Sequence, residues 1–174
     1  MSSVVFLRAV NVGTANRCRP AQIATQLSKF DVVNIGAVGT FVVRKDVSEP
    51  VLREAIAKKL GFKCEIIIVP ARDILKLADK DPFASAPSGP NVVCFVNVLA
   101  RPLPKLPALP LVFPATGEWA LKITTVEARF ILGIYRRQMK AITYLGKLEK
   151  QLGVPSTNRN WNTIEKVVKV LKQD

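Results

Sequence analysis

Three stretches of the chain carry polar and basic side chains at spacings suited to gripping an anion. The first is Asn11–Arg19, with Asn11, Gly13, Arg17 and Arg19 between an apolar strand and a helix that Pro20 opens. A strand, a glycine-containing turn and a helix start present backbone N–H groups and a positive dipole end to a phosphate. Arg17 and Arg19 would add charge-assisted bonds; the plainer account is an exposed basic loop. The second stretch is Arg136, Arg137 and Lys140, the densest basic cluster, set between a strand and a helix. The third is Thr157–Asn162. Its Asn and Thr side chains suit the start of a C-terminal helix, where they accept from free N–H groups. Its sharper reading is a polar pocket lined by Arg159, Asn160 and Asn162.

The chemistry excluded is broader than the chemistry suggested. The chain has no histidine, which removes the usual imidazole base, the Ser-His and Cys-His arrangements and most zinc catalysis. No spaced carboxylate pair marks an acid–base dyad or a magnesium site. Neither the P-loop spacing nor a full GxGxxG is present, and no cofactor is indicated. Gly36–Gly39 fits the GXXG of a KH module only superficially, because that loop joins helices and this one joins strands. Phe41, Phe95 and Phe130 would stack bases in an RNA-recognition sheet, but the surrounding RNP-like sequence is missing and the core is the simpler place for them. Cys18, Cys64 and Cys94 are isolated, so neither a zinc site nor a disulfide framework follows. They read as reduced thiols, with Cys64 and Cys94 in the core and Cys18 in a loop.

These groups must be held by a mixed fold. Val4–Val10, Val32–Ile35, Phe41–Arg44 and Cys64–Val69 read as strands. Ile23, Leu27 and Phe30 stripe one helix, and Leu52, Ile56 and Leu60 a second that Gly61 ends. Strand, helix, strand, strand, helix, strand is the split pattern of a ferredoxin-like domain, with helices on one face and strands apolar mainly on that side. Pro70–Asp79 reads as a connecting helix. Asp81–Pro90, rich in Pro, Ser and Gly, reads as a linker.

A second subdomain then spans residues 91–174. Val92–Val98 is its first strand. Leu103–Pro114, with four prolines, is an extended connector or edge segment, or less simply an SH3 or WW ligand. Trp119–Val126 and Phe130–Tyr135 alternate as a hairpin. Ala141, Leu145, Leu148 and Leu152 stripe a helix, and Trp161, Ile164, Val168 and Leu171 another. The expected class is therefore α+β: two tandem ferredoxin-like (α/β plait) subdomains, 1–80 and 91–174, the second degenerate with extra C-terminal helices.

Formal net charge is +13, which points to an acidic partner, to poor binding to cationic surfaces or simply to high solubility; without a run of like charges it reads equally as a solvated surface. Residues 1–90 hold 13 basic and 8 acidic residues, and residues 91–174 hold 13 and 5, so the second half is the more basic. Arg8 interrupts the first apolar stretch, and no run approaches a membrane span, so a cytoplasmic protein without a membrane partner is expected.

Three motifs resemble the family known as domain of unknown function 1697. Leu7-Arg8-Ala9-Val10-Asn11-Val12-Gly13 is similar to its Leu-Arg-Gly-Ile-Asn-Val-Gly opening, and Asp81-Pro82-Phe83 to its Asn-Pro-Phe. Arg159-Asn160-Trp161-Asn162-Thr163 matches its C-terminal motif. The resemblance implies two tandem ferredoxin-like subdomains and no established activity. Thr14 stands where the family has a second glycine, Ala37-Val38-Gly39-Thr40 where it has Gln-Ser-Gly-Asn, and Met139-Lys140 where it has Ser-Lys. Two functions follow as expectations: a non-enzymatic module binding a polyanion such as nucleic acid, or a site for a small phosphorylated or carboxylate ligand between the subdomains.

Overall fold

Apolar strands of the first 70 residues pair into a four-stranded antiparallel sheet. A computed structural model describes residues 1–173. Its sheet holds β1 (Ser3–Leu7), β2 (Val32–Asn34), β3 (Thr40–Val43) and β4 (Ile66–Pro70), in the order β2-β3-β1-β4. Between them run α1 (Pro20–Gln26) and α2 (Glu49–Leu60). Alternation puts Val5, Leu7, Phe41, Val43, Ile66 and Ile68 on one face, where they meet Ile23 and Leu27 of the α1 region and Leu52 and Ile56 of α2. Gly61, in the left-handed region, stops α2 as expected.

The expectation of one apolar face is corrected: Val4, Phe6, Val42, Ile67 and Val69 are buried too. The far face is covered because the connecting helix α3 (Ala71–Asp79) packs back on β1 and β4. A strand clothed on both sides is continuously apolar.

The chain divides into two compact units, Met1–Lys80 with Asn162–Asp174, and Asp81–Trp161. This moves two expected boundaries. Residues 81–90 open the second unit rather than standing outside both. The last helix, α5 (Trp161–Leu171), lies almost wholly in the first unit. Just past its end, the Lys172 ammonium lies 3.8 Å from the Asp79 carboxylate at the end of α3.

The second unit is a five-stranded antiparallel sheet of β5 (Val92–Leu99), β6 (Leu111–Phe113), β7 (Leu121–Glu127), β8 (Phe130–Arg136) and β9 (Ser156–Asn160), ordered β6-β7-β8-β5-β9. Only α4 (Met139–Leu152) crosses it as a helix. The proline-rich segment takes the first crossover and ends in edge strand β6, where missing N–H groups are tolerated. Phe95, Leu99, Leu121, Ile123, Ile131 and Leu148 form the core under α4. Gly133 sits beside a bulge in the β7–β8 pair; a Cβ there would lie 2.2 Å from the Lys122 carbonyl oxygen.

The amide-rich stretch before α5 is corrected as well. Ser156–Asn160 is an edge strand paired with Phe95–Leu99, not a helix cap.

Candidate anion-binding cleft

Strand β8 ends at Arg136, Arg137 follows it directly, and α4 begins at Met139. Arg136 and Arg137 are each fixed separately. Arg136 donates to the Glu118 carboxylate and lies over the Trp119 ring, its guanidinium carbon 4.4 Å from the ring centroid. Lys122 Nζ is 4.6 Å from the same centroid. One indole thus holds two cations, a favourable arrangement with the ring quadrupole. Arg137 is tethered differently: its Nε donates to the Pro90 carbonyl at 2.9 Å. That bond fixes the plane of the guanidinium and leaves its two terminal nitrogens without a hydrogen bond or ion pair among the described residues.

Both arginines line an open cleft of about 590 Å³ with Trp119, Asn91 and Gln138. Gln138 is the N-cap of α4, yet its side chain makes no capping bond, and the first turn holds no acidic residue. Ala141 N–H reaches the Gln138 carbonyl at 3.1 Å. The N–H groups of Met139 and Lys140 precede the helical ladder, so the helix presents an uncapped positive end beside the cleft. Lys140 is exposed in that first turn and does not line the cleft itself.

The first predicted stretch is organised differently. The Asn11 side chain donates to the Ala37 carbonyl at 2.8 Å and accepts from Cys18 N–H at 2.9 Å. Its polar atoms therefore clasp the loop to the Gly36–Gly39 turn rather than facing outward for a ligand. Leu7 N–H donates to the Gly39 carbonyl at 2.8 Å, so two family motifs meet at one end of the first sheet. Gly13 has φ 62° and is exposed; Arg17 and Arg19 are exposed and project from the loop. Helix α1 has 7 residues, and Pro20 removes one of its N-terminal donors.

The third stretch also separates. Arg159 is 6% exposed and bonds through one terminal nitrogen to Thr157 Oγ1 and the Asn158 carbonyl, each at 2.8 Å. Burial pulls its pKa down to about 10. Asn160 is exposed on the opposite face of β9, and Asn162 is exposed on α5. Alternation along a strand thus prevents a pocket shared by Arg159 and Asn160.

Sequence reasoning found Arg136 and Arg137 but missed Trp119, which it assigned to the regular alternation of a strand. The strand starts only at Leu121. The available signal was a tryptophan three residues from a lysine and one from a glutamate, outside the apolar run.

None of the three cysteines is in a disulfide, and all three are half-buried. Burial raises the pKa of Cys18, although Arg17 and Arg19 flank it in sequence. Burial raises Cys64 as well, with smaller contributions from Cys18 and Glu65. Among the described residues no group of three or more His, Cys, Asp or Glu side chains is placed to hold a metal, and no helix is long and apolar enough to cross a membrane.

Among the described residues, fold and cleft together define an α+β protein of two antiparallel sheets and five helices, with a basic cleft in its second unit. A family model described as a protein of unknown function, DUF1697, matches residues 1–111, and the chain belongs to that family. The match takes in the loop and turn clasped by Asn11, whereas Trp119, Arg136 and Arg137 lie beyond it. No curated protein matches the chain. Among solved structures, the conserved bacterial protein SP0830 from Streptococcus pneumoniae is similar over 98% of both chains, with a TM-score of 0.59 and 13% identity. At that identity the likeness speaks for the fold alone.

Proposed function

We propose that this protein is a non-enzymatic binding module for a polyanion such as nucleic acid, and that the cleft beside Trp119 takes one of its phosphates. The observation that carries this is Arg137. Its guanidinium is held by Pro90 and has two donor nitrogens open to the cleft, the geometry in which arginine binds phosphate bidentately. Arg136 and Lys122 on the indole, Lys140 and the uncapped end of α4 add positive potential around it. A net charge of +13 draws a polyanion in from a distance.

The test is fluorescence anisotropy of a labelled single-stranded oligonucleotide across a salt series. Each neutralised phosphate steepens the fall of log K with log salt by about 0.7 on single strands. Affinity independent of salt, or no binding at low salt, overturns the reading. A small phosphorylated or carboxylate ligand in the same cleft is the second reading, favoured by its volume, which lies within the usual range for small-molecule sites. Displacement of the oligonucleotide by pyrophosphate at comparable concentration would select it.

The same reading takes both units as ferredoxin-like plaits acting in the cytoplasm. Supporting it, β7-β8-β5-β9 repeats the order β2-β3-β1-β4, with β6 in place of the first crossover helix.

A further inference from the structure

The first unit carries a groove unrelated to the cleft, between the two helices on the outer side of its sheet. Leu27, at the end of α1, is fully buried, and Phe30 just beyond it is half-buried. Across from them, α2 offers half-buried Ala55 and Val51, the latter 51% exposed although aliphatic. Together they line a depression of about 390 Å³. Its rim is cationic. Lys29 places Nζ 4.7 Å from the Phe30 ring centroid, and Lys58 and Lys59 stand on the α2 side. The only acid lining it, Glu54, is matched by Lys58 at 2.6 Å. Lys29 and Lys59 have no acidic partner among the described residues.

We infer that this groove binds a monomeric anionic amphiphile: an alkyl chain against Phe30, Val51 and Ala55, with a carboxylate or phosphate head between Lys29 and Lys59. The charge selects the head group, since a neutral chain leaves both ammonium groups unmatched. The dimensions select a small molecule. Helix α1 has 7 residues, about 10 Å of axis, so a partner helix several turns long would overrun the groove. The volume is at the lower end of small-molecule pockets.

The experiment titrates the full chain, uniformly labelled with nitrogen-15, with decanoate below its micelle concentration, and follows amide shifts. The expected result is saturable shifts confined to residues 23–31 and 48–60, with decanol binding more weakly. Exchanging both unmatched lysines (Lys29→Gln with Lys59→Gln) weakens decanoate about fivefold, as two exposed ion contacts would, and leaves decanol unchanged. Ala55→Phe fills the groove and abolishes both. The same double exchange on exposed α5 residues, Lys166→Gln with Lys169→Gln, has no effect. No saturable shift in these segments, equal binding of decanol and decanoate, equal weakening by the α5 pair, or binding only to anionic phospholipid vesicles overturns the inference.

Discussion

Replacing Asn97 by valine should make the protein more stable. Asn97 sits in β5, between Phe95 and Leu99 on the face under α4, and is 1% exposed. Neither its amide oxygen nor its amide nitrogen has a hydrogen-bond partner. Its neighbours across the sheet are Ile131, in the core, and Asn158, exposed on the edge strand. An amide buried without partners forfeits about 1–3 kcal/mol of hydration. Valine removes that cost, suits a central strand and adds apolar burial. Against this stands the change of shape, since valine branches at Cβ where asparagine branches at Cγ, which costs about 1 kcal/mol. The net expectation is a gain of about 2 kcal/mol, which for a chain of this size raises Tm by about 4–8 °C. Urea unfolding followed by circular dichroism measures it, with the slope m unchanged. Asn97→Asp is the complement: an ionised carboxylate in the same place should destabilise strongly, with the loss shrinking as pH falls and the carboxyl protonates. Loss of more than about 1 kcal/mol in the valine variant would refute the reasoning, because the amide would then have a partner worth keeping.

Further outcomes follow from particular contacts. Gly133→Ala should cost about 3 kcal/mol or abolish folding of the second unit, since the new methyl meets the Lys122 carbonyl rather than a side chain that can move; the urea midpoint reads it. Gly39→Ala should cost about 2 kcal/mol, from φ 78° and a Cβ 2.7 Å from the Leu7 side chain. Cys18 and Cys64 have raised pKa values, so their thiolate fractions at a given pH fall below that of free cysteine. Alkylation by iodoacetamide should be slower at pH 8 and keep rising above the pH where free cysteine levels off. In the anisotropy assay, Arg137→Ala should flatten the salt slope by about 0.7, whereas Arg17→Ala leaves it unchanged.

The legible parts of the chain were those where side chains alone decide. Val4–Leu7, Phe41–Val43 and Ile66–Val69 announce strands through unbroken apolar, β-branched runs, and Pro20 and Gly61 punctuate the helices between them. The edge strand Ser156–Asn160 was misread because its pairing to β5 uses main-chain groups, and its side chains look like those of a helix cap. Arg159 hid its burial for a related reason: a charged residue in a polar run gives no periodic signal, although Thr157 and Arg159 alternate inward. At the cleft, the adjacent arginines were visible as charge. Their anchors were not, since the Pro90 carbonyl lies 47 residues from Arg137 in sequence. The Asn11 loop invited a phosphate reading through composition, while its geometry turns the amide inward to a backbone carbonyl 26 residues away.

The most direct measurement of the central claim is Trp119 emission in a Trp161→Phe background, where Trp119 is the only indole. Phenylalanine at 161 retains an aromatic partner for the Phe83 ring, now 5.1 Å away. Titrated with single-stranded oligonucleotide at low salt, the emission should change in step with anisotropy. Both changes should vanish on raising salt or on Arg137→Glu. Binding that leaves Trp119 emission unmoved, or that survives Arg137→Glu undiminished, would place the polyanion elsewhere and contradict the account.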